Sequence, residues 1–193
     1  MPDSVRTVPD AFFSRLPMRL ARVELRQLAV GDLPAFMAYR SDPQVARFQG
    51  WAAMDESQAA AFLCSEARVP RALQAGDWHQ LGIALPDGGA SLLIGDLGLW
   101  LSPGGDALEF GISLASRWQG RGHAREALLG LLQLLAETTD VRRVVARTDA
   151  RNAGCLGLLR RLGMHHTGSA AEVYKGEPCI DECFERALER RPR

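Results

Sequence analysis

Trp118-Gln119-Gly120-Arg121-Gly122-His123-Ala124 is the stretch that decides how this chain is read. It follows an apolar run at 107–114 and opens a segment with a helical stripe. Ala124, Ala127, Leu128, Leu131 and Leu135 fall at i, i+3, i+4, i+7 and i+11, one face of a 3.6-residue period. A strand, a glycine turn and an amphipathic helix over about 122–138 are therefore predicted. Gly122 can take backbone angles closed to other residues and has no side chain to block a ligand. The first helical N–H groups lack an intrahelical acceptor and point outward. With the helix dipole they form a receptor for phosphate. Glycine turns before helices also serve as plain structure, so the surrounding segments must decide.

Upstream, residues 19–28 alternate as a first strand. Asp32 and Pro34 mark the start of a helix that runs to about Arg40 and is broken by Ser41-Asp42-Pro43. Asp55 or Ser57 caps a second helix through Ala67, with Ala60, Ala61, Leu63 and Cys64 as its expected apolar side. Strands are predicted at 79–85, 91–101 and 107–114, separated by turns at 86–89 and 103–106. Downstream, 143–148 reads as a strand. A short helix at 152–162 stops at Gly163, and strands cover 164–174 and 179–188. The expectation is an α+β domain: a mixed sheet of about seven strands with helices on both faces. The strand–helix–strand crossover after the meander makes one pair parallel. Residues 1–17 read as an N-terminal arm, 18–188 as one domain and 189–193 as a basic tail.

Composition narrows the function classes. The 193 residues carry 23 Lys+Arg and 23 Asp+Glu, so the chain lacks the broad positive field that captures nucleic acid. No apolar run is long enough to span a bilayer, and the first 17 residues lack a signal-peptide core. A cytoplasmic protein without membrane or nucleic-acid partners is expected. Four cysteines do not make a disulfide framework. Cys64 and Cys155 are expected to be small core residues. The spacing of Cys179 and Cys183 is wrong for a zinc knuckle, and no metal is expected.

A second stretch sharpens the reading: Asn152-Ala153-Gly154-Cys155-Leu156-Gly157-Leu158-Leu159-Arg160-Arg161-Leu162-Gly163-Met164. Together the two segments resemble GNAT N-acetyltransferases. That family's phosphate loop is matched at Gln119, Gly122 and Ala124, and its next helix at Asn152, Leu158, Leu162 and Gly163. The strand Leu108-Glu109-Phe110-Gly111-Ile112 and the turn Trp118-Gln119-Gly120-Arg121-Gly122 are similar to the RimJ/RimL ribosomal-protein branch. Three linked segments in order weigh more than any one motif. The family's serine is replaced by Cys155, its frequent tyrosine by Leu159 and its terminal phenylalanine by Met164.

The resemblance implies the GNAT fold and transfer of an acetyl group from acetyl-CoA to a primary amine, with no covalent enzyme intermediate. The amine is a protein N-terminus or a small molecule, and homodimers are common in the superfamily. Ile112, Ser113 and Leu114 would border a gap that takes pantetheine as an added strand. Gln119, Gly120, Arg121, Gly122, His123 and Ala124 would hold the diphosphate, and Asn152 and Cys155 would stand beside the arm. A backbone N–H near 112–114 would stabilise the developing oxyanion. Glu109 is the expected general base through water, set against a cross-strand ion pair with an arginine. With Leu159 unable to protonate the thiolate, Ser113, Cys155 and Tyr174 are the alternative donors. Three further readings stay open. One is a non-catalytic acetyl-CoA-binding module, and one is an aminoglycoside-type acetyltransferase. The third, a dinucleotide-binding Rossmann protein, fails on order, because the glycine motif follows a meander. Acceptor choice is expected in the loops around 41–56 and 164–180.

Overall fold

The structure is a computed structural model and describes residues 7–8, 11–51, 54–67, 73–87 and 90–189. The expected turn glycines Gly88 and Gly89, residues 190–193 of the basic tail and most of the first ten residues lie outside that range. In chain order the elements are β1 (Thr7–Val8), β2 (Met18–Arg19), β3 (Glu24–Gln27), α1 (Leu33–Arg40), α2 (Pro43–Ala46) and α3 (Glu56–Glu66). After these come β4 (Leu73–Gln74), β5 (Trp78–Asp87), β6 (Ala90–Leu101), β7 (Ala107–Leu114) and α4 (His123–Thr138). The last are β8 (Arg143–Asp149), α5 (Ala153–Arg161), β9 (His165–Tyr174) and β10 (Glu177–Ala187). Eight strands form one sheet in the order β2-β3-β5-β6-β7-β8-β10-β9, and β1 pairs with β4 separately. Among the described strands of this sheet only β7 and β8, joined by α4, pair in parallel.

Two hydrophobic clusters cover the two faces. Ala127, Leu128, Leu131 and Leu135 of α4, with Leu158, Leu159 and Leu162 after β8, pack on Leu97, Leu99, Leu108, Phe110 and Val144. Phe36, Tyr39, Ala59 and Leu63 of α1 and α3 pack with Leu28, Val45 and Leu93. The stripe expected for α4 is therefore its buried face. The register between β5 and β6 shifts at Ile83/Ala84, which leaves Ile94 as one extra residue. The bulge explains how neighbours Leu93 and Ile94 serve opposite faces while Ile94 and Leu97 serve the same one.

Three expectations shift. The first predicted strand is a hairpin: Leu20 N–H donates to the Val23 carbonyl, dividing β2 from β3. In α3 the buried positions are Ala59 and Leu63, and Cys64 is exposed. The run 59–64 is apolar almost all round, so periodicity could not choose its inner face. Phe12 and Phe13 are buried in the α4-side core, so that part of the expected arm packs into the body.

Asp96 on β6 carries the α1 side of the sheet. It accepts from Tyr39 Oη and an Arg40 guanidinium nitrogen, both at 2.6 Å. Arg40 is 6% exposed and Asp96 2%. Burial works against the charge on Arg40, yet Asp96 and Tyr39 together more than offset it, and the guanidinium pKa is raised. A buried pair is costly to break because one charge is left uncompensated. Asp96→Asn should therefore lose roughly 3–5 kcal/mol of stability in urea unfolding; a loss near zero would show that Arg40 finds another partner.

Candidate functional site

The parallel pairing of β7 and β8 lasts for three residue pairs, Ala107↔Arg143, Leu108↔Val144 and Glu109↔Val145. Beyond Glu109 the strands part. Two carbonyls on the parted section of β7 bond to side chains instead. Gln49 Nε2 donates to the Ile112 carbonyl at 3.1 Å, and Gln119 Nε2 to the Leu114 carbonyl at 2.8 Å. Residues two apart in a strand present their main-chain groups to the same side, so both carbonyls belong to one edge.

A cavity of about 780 Å³ opens at this parting. Its walls come from 110–114 of β7, 146–148 of β8, the turn before α4, the start of α5 and Gln44, Val45, Phe48 and Gln49. Ile112, Ser113, Leu114, Gln119, Gly120, Gly122, His123, Ala124, Asn152 and Cys155 all line it. Glu109 and Arg121 do not. The Arg121 carbonyl accepts from Arg22 at 2.9 Å, and its guanidinium stands 5.3 Å from the Trp118 ring centre.

The turn is held from outside. Gly120 and Gly122 have φ of +71° and +84°, the left-handed region that side chains resist. A Cβ on Gly122 would meet an Arg22 guanidinium nitrogen at 3.1 Å. Arg22 is anchored by Glu126 of α4, with Nε to Oε2 at 2.7 Å and its own N–H to Oε1 at 2.6 Å. Gly122 gives α4 no side-chain cap, so the first amides of the helix keep their free donors. Beside them His123 Nδ1 and Trp118 Nε1 are buried without a partner. Burial and Arg22 lower the His123 pKa, which favours a neutral imidazole there.

Several expected residues take structural duties. Gln119 braces the turn through the Leu114 carbonyl. Asn152 caps α5, its Oδ1 accepting from the Cys155 N–H at 3.1 Å. Burial raises the Cys155 thiol pKa. Leu159 is fully buried and gives the cavity wall only hydrocarbon. Ser113 is buried, opposite Asp96 in register. Glu109 lies at the root of the parting, 3.6 Å from the Arg147 guanidinium. Burial raises its pKa, Arg147 opposes the shift, and Asp181 adds to it. The expected ion pair is thus present but loose, and the carboxyl is a better proton acceptor than an ordinary glutamate.

The segment after α1 and the β9–β10 turn meet beside this sheet face. Lys175 Nζ donates to the Ala46 carbonyl at 2.8 Å, and Ser116 Oγ to Asp42 at 2.6 Å. Sequence reasoning missed Gln49 and Arg22, which act through partners distant in sequence, and the acidic pair Asp149 and Asp181, which meets only through the register of β8 with β10. The capping signal Asp42-Pro43 was the one local hint that a helix turn follows α1.

Comparison with known proteins agrees with this geometry. No curated protein sequence matches the chain. Among solved structures, a GNAT-family acetyltransferase from Bacillus anthracis superimposes with a TM-score of 0.77 at 17% identity, covering 89% of this chain and 98% of that one. A RimL ribosomal L7/L12 alpha-N-protein acetyltransferase in complex with coenzyme A gives 0.74 at 18% identity, covering 95% and 98%. The microcin C7 self-immunity acetyltransferase MccE, in complex with acetyl-CoA and AMP, gives 0.73 at 14%, covering 88% and 94%. At these identities the likeness shows the fold alone. Residues 22–165 match the sequence model of the acetyltransferase (GNAT) domain, and the chain belongs to that family.

Proposed function

We propose that residues 18–188 form one catalytic domain that moves the acetyl group of acetyl-CoA onto a primary amine by direct attack. The observation that carries this is the parted edge of β7 beside a helix start with uncapped amides. The residues present fit such a cosubstrate: the cavity is roomy, and Trp118 and His123 offer buried polar atoms without partners. Acetyl-CoA supplies an activated thioester. The amides at 122–124 favour the diphosphate, and Gly120 and Gly122 let it approach closely. The edge at 112–114 offers main-chain groups to an extended arm. A main-chain N–H of that edge stabilises charge developing on the carbonyl oxygen.

Glu109 takes the proton from the acceptor ammonium, through a water, so that the amine can attack. Leu159 provides no acid for the leaving thiolate. Of the alternatives, the Tyr174 hydroxyl is committed to Asp181, while the raised Cys155 thiol lines the cavity and keeps its proton. Leu159 in the core also favours a second reading, a module that binds acetyl-CoA without turnover. A thiol-release assay with acetyl-CoA against peptides of varied N-terminus, polyamines and aminoglycosides separates the two. Binding with no turnover on any of them would support the module. The RimL and MccE structures resemble the chain about equally, so the panel spans protein and small-molecule acceptors.

Gly122→Trp should weaken coenzyme A binding at least about tenfold, the weight of one charged hydrogen bond; an unchanged Kd in calorimetry removes the turn from the site. Gln49→Ala removes a side chain that occupies the Ile112 carbonyl, and should tighten coenzyme A about two- to tenfold. Weaker binding would make Gln49 a ligand contact instead. Glu109→Gln should cut turnover by about 10²–10⁴ and leave the Kd for acetyl-CoA intact. In the wild type the rate should fall as pH drops through the raised Glu109 pKa. That acid limb should be missing from the residual activity of Glu109→Gln.

A further inference from the structure

Trp78 of β5 stands directly opposite Trp100 of β6, and Trp100 stands opposite Glu109 of β7. Residues opposite one another share a sheet face, so the three side chains form one row. Two positions along each strand runs a second row on the same face, made by Gln80, Gly98 and Gly111. Among the described residues neither indole joins either core cluster, and Trp78 is 51% exposed. An indole left this open forgoes much of the burial that makes aromatic side chains stabilising. The two glycines are not required by the backbone either. Both lie inside extended strands, and neither has a positive φ. A Cβ on Gly98 would stand 3.2 Å from the Trp78 ring, so the indole leans over that position. A Cβ on Gly111 would meet nothing within 4 Å, and Gly111 is exposed and lines the cavity. Glycine weakens the interior of a strand, and it often marks a place where something approaches the backbone closely. At Gly111 the described protein supplies no such neighbour. From the cavity wall, therefore, a floor without side chains runs from Gly111 to Gly98 and reaches the Trp78 ring. It spans β7 to β5, two strand spacings or about 10 Å.

We propose that this floor seats the body of the acceptor, and that Trp78 and Trp100 select acceptors whose amine is carried by a flat apolar ring. The proposal rests on reading the parting of β7 and β8 as the acetyl-transfer site. The occupant follows from continuity: the floor opens from the cavity at Gly111, and the row of indoles ends on Glu109. With its amine beside Glu109, an acceptor places its next atoms over Gly111 and Gly98 and its ring against Trp78. Indoles favour flat apolar partners in offset or edge-to-face contact. They offer no carboxylate to the further charges of a polyamine. Trp78 and Trp100 act on acceptor choice and take no part in the proton transfer assigned to Glu109.

The test uses the full chain with nitrogen-15 in its tryptophan side chains, saturated with coenzyme A and titrated with 2-phenylethylamine, n-propylamine and spermidine. Phenylethylamine should shift the Trp78 indole resonance in a saturable way and bind about three- to tenfold tighter than propylamine, the worth of one aromatic contact. Trp78→Ala should bring that ratio to within twofold and keep the Kd for coenzyme A within twofold. Gly111→Val puts a strand-favouring side chain into open space, so it should hold or raise the Tm. It should nevertheless weaken phenylethylamine at least about fivefold, which a purely structural glycine would not do. Equal affinities of the two monoamines, spermidine binding as tight as phenylethylamine, or a ratio that survives Trp78→Ala would overturn the floor. A Trp78 signal that moves only when the protein is diluted would assign the indoles to a second copy and overturn it too. If Trp78→Ala does not fold, Gly111→Val and the wild-type contrast decide. Ring binding without any acetyl transfer would count against the proposed function and leave the floor standing. Equal transfer to both monoamines with no Trp78 shift would do the reverse.

Discussion

A parallel sheet is held by a continuous ladder, and here the ladder between β7 and β8 ends after three residue pairs. The rest of the site follows from that early end. A strand that loses its neighbour inside a sheet exposes main-chain acceptors that must be satisfied. Two glutamines from opposite sides meet that need, one from the segment after α2 and one from the turn before α4. The parting leaves a cavity with main-chain groups on one wall and helix amides on another. It also brings Glu109, the last paired residue of β7, to the boundary between packed sheet and open space.

The chain treats its buried charges in two ways. On the α1 side, Asp96 meets Arg40 and Tyr39, and every short contact is made within the protein. On the far half of the same sheet, Asp181 faces another carboxylate and keeps one oxygen bare. Both are strand aspartates of similar burial, so the difference lies in their neighbours. A group satisfied internally fixes the position of α1.

Local chemistry made the frame readable. The stripe of α4, the capping residue Asp55, the turn glycines Gly120 and Gly122 and the stop at Gly163 are all short-range features. Each appears where the sequence places it. What escaped depended on register and on distant contacts. The bulge at Ile94 follows no local pattern. The opposition of Asp149 and Asp181 needs the alignment of β8 with β10. The reach of Gln49 to Ile112 spans 63 positions. An alanine-rich helix such as α3 offers no apolar contrast, so its inner face was set by what it packs against.

The bracket formed by Arg22 and Glu126 ties the first hairpin of the sheet to the start of α4. Arg22 holds the outer side of the turn whose inner amides face the cavity. Local opening of the edge hairpin therefore also loosens the turn, although the two are about a hundred residues apart in sequence. Slowed amide exchange at the hairpin on adding coenzyme would report occupancy of a site it does not touch.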